Sequence, residues 1–448
     1  MFPYFLWVDS SARPALRRLA VAFPLCLAFA APLAQAGEEL SLDQALSLAE
    51  MRSRQLLAED ASAAAARSMA LSAGAFPDPV LKAGVNNLPV DGVDRFSLTR
   101  DFMTMRSIGI AQELTRADKR MARSARFERE AELAEAERGR VVLELRGETA
   151  AAWLDRYFQE RLRDLLRELR VETALQVEAA EAAYAGKRGM QVEVLAARTA
   201  VALTDDRLEE VESRLTSAQV RLARWIGAAA DRTLAPPPAL DRAWLDATDV
   251  DALLERHPRL AVMLREEDVA RAEVAIARSS RRPDWSVELS YSQRGPAFSN
   301  MASLGVSIPL HVDPAQRQDR DIAAKVALAD RIRDQREEAR REISAAIRSD
   351  ILRWRSNRGR LARFDRSLLP LAAERVSGET TAYRGGASSL ASALAARRLE
   401  IDTRLERLRL EMDTAALWAR LEYLLPAADL PATPNPPSSL APAAPAQE

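Results

Sequence analysis

Residues 115–184 contain no proline. An unbroken α-helix over that stretch would reach ~105 Å at 1.5 Å per residue, far beyond the usual helix of a globular domain. The chain therefore has to be built around helices too long for one compact core. From residue 194 the small and apolar positions settle into alternating steps of three and four: Val194, Ala197, Val201, Thr204, Leu208, Val211, Leu215, Ala218, Leu222 and Trp225. This is a coiled-coil seam. A second seam runs through Leu394, Ile401, Leu405, Leu408, Met412, Ala415 and Ala419, and a weaker third through Ile347, Ile351, Trp354, Leu361 and Leu368. Pro370 should kink or loosen this last helix, because proline has no N–H to donate. With 29% charged and 5% aromatic residues, the composition suits long solvated helices better than a compact aromatic core.

Two breaks interrupt the helices, and both read as strand pairs. Trp285, Val287, Leu289 and Tyr291 alternate with Ser286, Glu288, Ser290 and Ser292. After a turn-rich loop, Leu304, Val306, Ile308 and Leu310 alternate with Ser303, Gly305, Ser307 and Pro309. The earlier pair is noisier, with Leu81, Ala83 and Val85 on one strand and Ile108 and Ile110 on the other. A period of two with one apolar face predicts strands. Two readings stay open: a small sheet packed on helices, or a membrane barrel wall with aromatics near its rims and Glu288 facing the lumen. The wall is the better reading for an exported chain. Four strands cannot close a barrel, and an open edge is not tolerated in lipid. The barrel reading therefore requires two or three copies of the chain.

The chain also repeats itself. Tyr184-Ala185-Gly186 and Leu195-Ala196-Ala197-Arg198 recur 199 residues later as Tyr383-Arg384-Gly385 and Leu394-Ala395-Ala396-Arg397. The strand ends Gly109-Ile110-Ala111-Gln112-Glu113-Leu114 and Gly305-Val306-Ser307-Ile308-Pro309-Leu310 align 196 residues apart. Each half reads as helix, strand, strand, long helix, tight turn, long helix. The expected divisions are a signal peptide at 1–36, a first repeat at 37–228, a linker at 229–250, a second repeat at 251–425 and a disordered Pro/Ala-rich tail at 426–448. Strands are expected at about 79–88, 103–114, 284–293 and 301–310.

Arg13, Arg17 and Arg18 precede an apolar run at 19–34, and Ala34-Gln35-Ala36 supplies a small-residue cleavage site. This is the layout of an export signal. Cys26 invites a lipid-anchor reading, but a bulky leucine precedes it, so cleavage after Ala36 is preferred. The net charge of −1 argues against nucleic-acid binding. The chain has only two histidines, His257 and His311, and one cysteine, which disfavours disulfides and most Cys/His metal sites. Met103, Met105 and Met301 are scattered thioethers that read as packing. No nucleophile elbow, phosphate loop or HExxH motif is present. Neither an enzyme nor a cofactor is expected.

The duplicated order of elements resembles the outer-membrane efflux protein family, the TolC-like channels, over residues 38–425. Local matches are Leu40-Ser41-Leu42-Asp43-Gln44-Ala45-Leu46 at the opening helix, Pro77-Asp78-Pro79 and Pro283-Asp284-Trp285 before strands, His257-Pro258-Arg259-Leu260, and the stretch 186–195 at the first hairpin tip. Met103-Thr104-Met105, Gly109-Ile110-Ala111-Gln112-Glu113 and Lys119-Arg120 resemble the branch that works with heavy-metal pumps. The resemblance implies a mainly α fold with a β-barrel part: a long coiled-coil α-barrel, and four strands per protomer closing a twelve-stranded outer-membrane barrel in a homotrimer. It further implies docking to a periplasmic adaptor and an inner-membrane pump, in a duct that exports solutes, heavy-metal cations being favoured over drugs or peptides.

The tips, Tyr184, Gly186, Gly189 and Glu193 in one repeat and Tyr383, Gly385, Gly386 and Ser392 in the other, are the expected periplasmic aperture and adaptor-docking site. The glycines are expected to supply positive φ, the tyrosines to pack, and Glu193 either to form an acidic ring or to serve as an ordinary helix carboxylate. The family carries Asp where Glu193 stands, and Ser392 and Ala395 replace acids, so any acidic ring is sparse. A rival reading is a periplasmic coiled-coil adaptor or chaperone, which leaves the four strands and the duplication unexplained.

Overall fold

In a computed structural model, which describes residues 39–240 and 250–425, the first helix, α1 (Leu42–Arg52), starts at a capping box. Ser41 Oγ accepts the Gln44 N–H at 3.2 Å, and Gln44 Oε1 accepts the Ser41 N–H at 3.3 Å. Ser53 ends this helix and caps α2 (Arg54–Gly74), its hydroxyl accepting the Leu56 N–H at 3.3 Å. The expected signal peptide with Cys26, part of the linker (241–249) and the tail lie outside the described residues.

A strand pair, β1 (Val80–Asn86) and β2 (Met105–Leu114), leads into α3 (Ala117–Ala185). This helix has 69 residues, on the order of 100 Å of continuous backbone. It runs through Gly139 and Gly147, because surface ion pairs and packing outweigh the ~1 kcal/mol that each glycine costs. Arg140, for example, reaches Glu137 and Glu144, both at 2.7 Å. A tight turn returns the chain along α4 (Gln191–Ile226). On its seam Ala197, Thr204, Val211 and Ala218 are buried, while Val201, Leu208 and Leu215 are only half-buried. One flank of the seam is thus covered within the chain and the other is not.

The second half repeats the order: a short helix α5 (Val250–Glu255), α6 (Pro258–Ser279), β3 (Trp285–Gln293), β4 (Met301–Ser307), α7 (Gln318–Arg363), α8 (Leu369–Arg384) and α9 (Leu390–Glu422). Between α7 and α8 the helix stays continuous through a π-helical turn, Phe364–Leu368. Pro370 follows at once. It cannot bond back to the Arg366 carbonyl, and the widened turn absorbs the missing bond without breaking the rod.

The core lies where α1, α3, α4, α7 and α9 meet. Trp153, Trp354 and Trp418 are fully buried there, surrounded by Leu40, Leu154, Phe158, Leu222, Ile347, Ile351 and Leu421. The segment around Leu40 and the one around Leu234 form a short parallel bridge. Trp153 Nε1 donates to the Leu40 carbonyl at 3.2 Å, and the buried guanidinium of Arg156 donates to the carbonyls of Ala230 and Arg232. These side chains satisfy backbone groups that helices cannot reach. Thinner seams, such as Leu162, Leu166 and Leu169 with Val211, Ile401 and Leu405, continue along the rods.

The four strands form one antiparallel sheet in the order β1-β2-β3-β4. Leu81, Ile110, Leu289 and Leu304 stand in one row across it, and they are 70%, 48%, 55% and 73% exposed. An apolar face is therefore left uncovered, at a forgone burial of about 1.5–3 kcal/mol per large side chain. β1 and β4 are shorter than the sequence pattern suggested, 80–86 against 79–88 and 301–307 against 301–310. Each is an outer strand, paired on one side only among the described residues, and Pro309 has no N–H for a ladder bond.

Candidate functional site: the helical tips and the two faces of the sheet

At the first tip, α3 ends in a Schellman motif. The Arg188 N–H bonds back to the Ala183 carbonyl at 2.8 Å and the Lys187 N–H to Tyr184 at 3.0 Å. The second tip repeats it, with Ala387 to Ala382 at 2.8 Å and Gly386 to Tyr383 at 3.0 Å. The left-handed residue of this motif is Lys187 (φ 56°) at one tip and Gly386 (φ 74°) at the other. The glycine expectation therefore holds for Gly386 alone. Gly186 (φ −77°) and Gly385 (φ −81°) cap their helices at negative φ, and Gly189 is not left-handed. Gly189 is needed for space instead: a Cβ there would lie 3.0 Å from Glu193 Oε2 and 3.1 Å from Ala183 Cβ.

Glu193 Oε2 accepts the Met190 N–H at 2.9 Å, the carboxylate half of a capping box for α4. At the matching place in the second repeat the device is reversed: Ser389 Oγ accepts the Ser392 N–H at 3.1 Å. Glu193 thus has one oxygen committed to a cap and its charge near a helix N-terminus. Tyr184 and Tyr383 are 50% and 41% exposed, so neither is packed away. With Met190, Val192 and Leu195 they give the tips an apolar surface.

The hairpins are tied to each other above the tips. Arg397 on α9 forms a two-pronged pair with Glu172 on α3, its Nε 2.8 Å from Oε2, and donates to Glu400 at 2.5 Å. Glu400 is buried and also takes Arg404 at 2.5 Å. The Arg397 guanidinium lowers the Glu172 carboxyl below its ordinary range. Nothing in the sequence pointed to this network, since the partners are 225 residues apart.

On the sheet, the face opposite the apolar row carries Lys82, Asn86, Ser107, Glu288, Ser290 and Ser303, placed by strand register. Glu288 lies among them and its Oε2 is 2.5 Å from Lys82 Nζ. Asn86 Nδ2 donates to Ser107 Oγ at 3.0 Å. The apolar face has three polar residues within the rows, Arg106, Gln112 and Gln293, and the Gln112 amide folds back to the Pro77 carbonyl at 2.7 Å.

Where sheet meets helices, Asp284 accepts Lys119 Nζ at 2.5 Å and the Arg116 N–H at 3.0 Å. Burial by itself raises this carboxyl, but these two donors and the Lys119 charge hold it below the ordinary range. His257 caps α6, its Nδ1 accepting the Arg259 N–H at 3.3 Å. Met103 and Met301 are half-exposed. Among the described residues no group of three or more His, Cys, Asp or Glu side chains is placed to hold a metal ion, and no helix is long and apolar enough to cross a membrane.

Several solved structures share this arrangement. The outer-membrane channel OprN superposes with a TM-score of 0.72 at 17% identity, covering 87% of this chain and 91% of its own. The outer membrane protein VceC of Vibrio cholerae gives 0.69 at 17%, covering 86% and 95%. CusC, described for its folding and transmembrane channel formation, gives 0.71 at 16%, covering 92% and 98%. The chain has the fold of the TolC-like outer-membrane channels. At these identities the likeness is one of architecture: long helical hairpins, duplicated, with a four-stranded sheet. No protein-family model and no curated protein sequence matches the chain.

Proposed function

We propose that the chain is the outer-membrane duct of a tripartite export system, a passive homotrimer rather than an enzyme. In this reading residues 37–228 and 251–425 are two copies of one module. Their sheets sit in the outer-membrane lipid, and their helices form a tunnel in the periplasm. The observation that carries the reading is the sheet itself. Its apolar face is exposed, and among the described residues no helix packs over its polar face and neither outer strand has a second partner. A soluble sheet would bury the apolar face, whereas a barrel wall turns it to lipid and lines a wet lumen with the polar face. Edges inside lipid must be paired, which requires further copies. The half-covered seam of α4 is the helical counterpart of the same incompleteness.

The tip residues Tyr184, Gly186, Gly189, Glu193, Tyr383, Gly385, Gly386 and Ser392 then form the tunnel mouth and the surface for a periplasmic adaptor, behind which stands an inner-membrane pump. Export of heavy-metal cations is the substrate class we favour. It rests on the Met103-Thr104-Met105, Gly109–Glu113 and Lys119-Arg120 matches alone.

The test is the mass and detergent requirement of the purified mature protein. A detergent-dependent particle of three chains that fractionates with outer membranes is expected. A particle soluble without detergent removes the barrel and leaves a periplasmic helical protein.

A further inference from the structure

The two hairpins of the sheet are equivalent residue by residue. Val80 faces Ala111 in the first and Ser286 faces Ser307 in the second. Val80 and Ser286 each stand two residues after the aspartate of a Pro-Asp element, Asp78 and Asp284. Ala111 and Ser307 are matched independently by the aligned strand ends. β1 thus corresponds to β3, and β2 to β4. Within the chain, β2 meets β3 with Ile108 opposite Tyr291, Gly109 opposite Ser290, Ile110 opposite Leu289 and Gln112 opposite Val287. That seam is a template for the one the chain lacks.

Resting on the duct reading above, we infer that the free edges β4 and β1 join one copy to the next in the register of the β2–β3 seam. Exchanging each residue for its counterpart places Leu304 opposite Val85 of the next copy, Gly305 opposite Gly84, Val306 opposite Ala83, Ser307 opposite Lys82 and Ile308 opposite Leu81. Every apolar-face residue meets an apolar one, and the polar-face positions pair small or polar groups. A slip of one residue would set apolar against polar along the whole edge.

A second observation supports the same seam. Lys119, the third residue of α3, holds Asp284 at the foot of β3, with side chains only 16% and 10% exposed. The counterparts are Arg320, the third residue of α7, and Asp78. Both are exposed, and their side chains have no hydrogen bond or ion pair among the described residues. The junction is satisfied inside the chain and left as two opposite, free charges at its two outer ends. The occupant that completes both is a second copy of this chain, Arg320 of one reaching Asp78 of the next.

Paired cysteines test the register, since Cys26 is the chain's one cysteine and falls in the expected signal. Two double variants place cysteines directly opposite, Gly84→Cys with Gly305→Cys and Ala83→Cys with Val306→Cys. Neighbouring opposite pairs alternate between Cα separations of about 5.5 and 4.5 Å, within disulfide reach. Mild oxidation of the detergent-solubilised protein should give an SDS-resistant ladder ending at three chains. The pair Ala83→Cys with Leu304→Cys, which is opposite only after a slip of two residues, should give none. Preferential linking of the slipped pair, or no linking in a particle whose mass is that of a trimer, overturns the register alone. A monomeric mass overturns the duct reading with it. Independently, Asp78→Arg and Arg320→Asp should each lower the temperature at which the trimer dissociates, and their combination should restore it. Failure of the double variant to recover removes the ion pair.

Discussion

Lys82 Nζ lies 2.5 Å from Glu288 Oε2, although 206 residues separate them in the chain. The bond spans two strand spacings, from β1 over β2 to β3. It passes Gly109, which stands directly opposite Lys82 and has no side chain. A Cβ at Gly109 would lie 2.9 Å from Ser290 Cβ, so the glycine also sets how closely β2 and β3 approach.

Lys82 and Glu288 share the face we read as the channel lining with one further charge, Glu113. Both side chains are about half-exposed, so the pair adds little to stability. Its removal should act on ions instead. Glu288→Gln is expected to shift a reconstituted channel toward anions, Lys82→Gln toward cations, and the double variant to return to the wild-type preference. Reversal potentials in planar bilayers under a salt gradient measure this. Equal selectivity in all four proteins would take the pair out of the conduction path.

The tips offer a test of backbone strain. Lys187 holds the left-handed position that Gly386 holds in the other repeat. A non-glycine residue pays about 1 kcal/mol or more there. Lys187→Gly should therefore stabilise the first hairpin by about 1 kcal/mol and Gly386→Ala should destabilise the second by a similar amount. Hydrogen exchange of the amides flanking each turn would report both.

Glu193 has two separable properties, a cap and a charge. Glutamine can keep the capping box without the charge. Glu193→Gln should preserve stability while reducing cation preference at the tunnel mouth, and Glu193→Ala should also cost about 1 kcal/mol of α4 stability. Thermal melts and single-channel selectivity, measured together, separate the two. Unchanged selectivity in both variants would remove Glu193 from the aperture.

Arg397 joins α3 to α9 through Glu172 and Glu400. Arg397→Ala leaves Glu172 unpaired and the buried Glu400 with Arg404 alone. A loss of about 2–3 kcal/mol is expected, since breaking a largely buried pair strands its partner. Lysine cannot reproduce the fork and should recover only part. Denaturant unfolding and exchange rates along α9 are the readouts, with Glu400→Gln in the Arg397→Ala background expected to relieve part of the loss.

His257 supplies a pH dependence. Burial, helped by the Arg259 charge, pushes its pKa down from 6.5 to about 4. The unfolded chain therefore takes up this proton first as pH falls. Stability from His257 is complete above about pH 6.5 and is lost as pH falls toward 4. Protonation also removes the acceptor that caps α6. Asp284 and Glu172, both held low, add further loss at still lower pH. His257→Asn, which keeps a capping acceptor, should flatten the stability profile between about pH 6.5 and 4. An unchanged slope in urea melts across that window would rule His257 out.

How much of this was legible in the sequence depends on the range of the physics involved. The long helices, the four strands and their two faces could be read directly, because periods of 3.5 and 2 are local geometry. The duplication was visible in Tyr184-Ala185-Gly186 and Tyr383-Arg384-Gly385. Glycine content misled at the first tip, since the left-handed position is set by the six-residue bond from Arg188 to Ala183, which places it on Lys187 rather than Gly186. The continuity of the rod at Pro370 depended on a π-helical turn that proline itself does not announce.

The sequence by itself therefore determined the elements, their order, their apolar faces and the repeat, all consequences of side-chain spacing along one chain. Only the tertiary structure decided which strands are neighbours, which edges stay open, and which charges meet. Lys82 with Glu288, Lys119 with Asp284 and Arg397 with Glu172 are brought together by strand register and helix packing. Residues 165 to 225 positions apart interact only once that packing has closed the loops between them, and no local pattern encodes such a meeting.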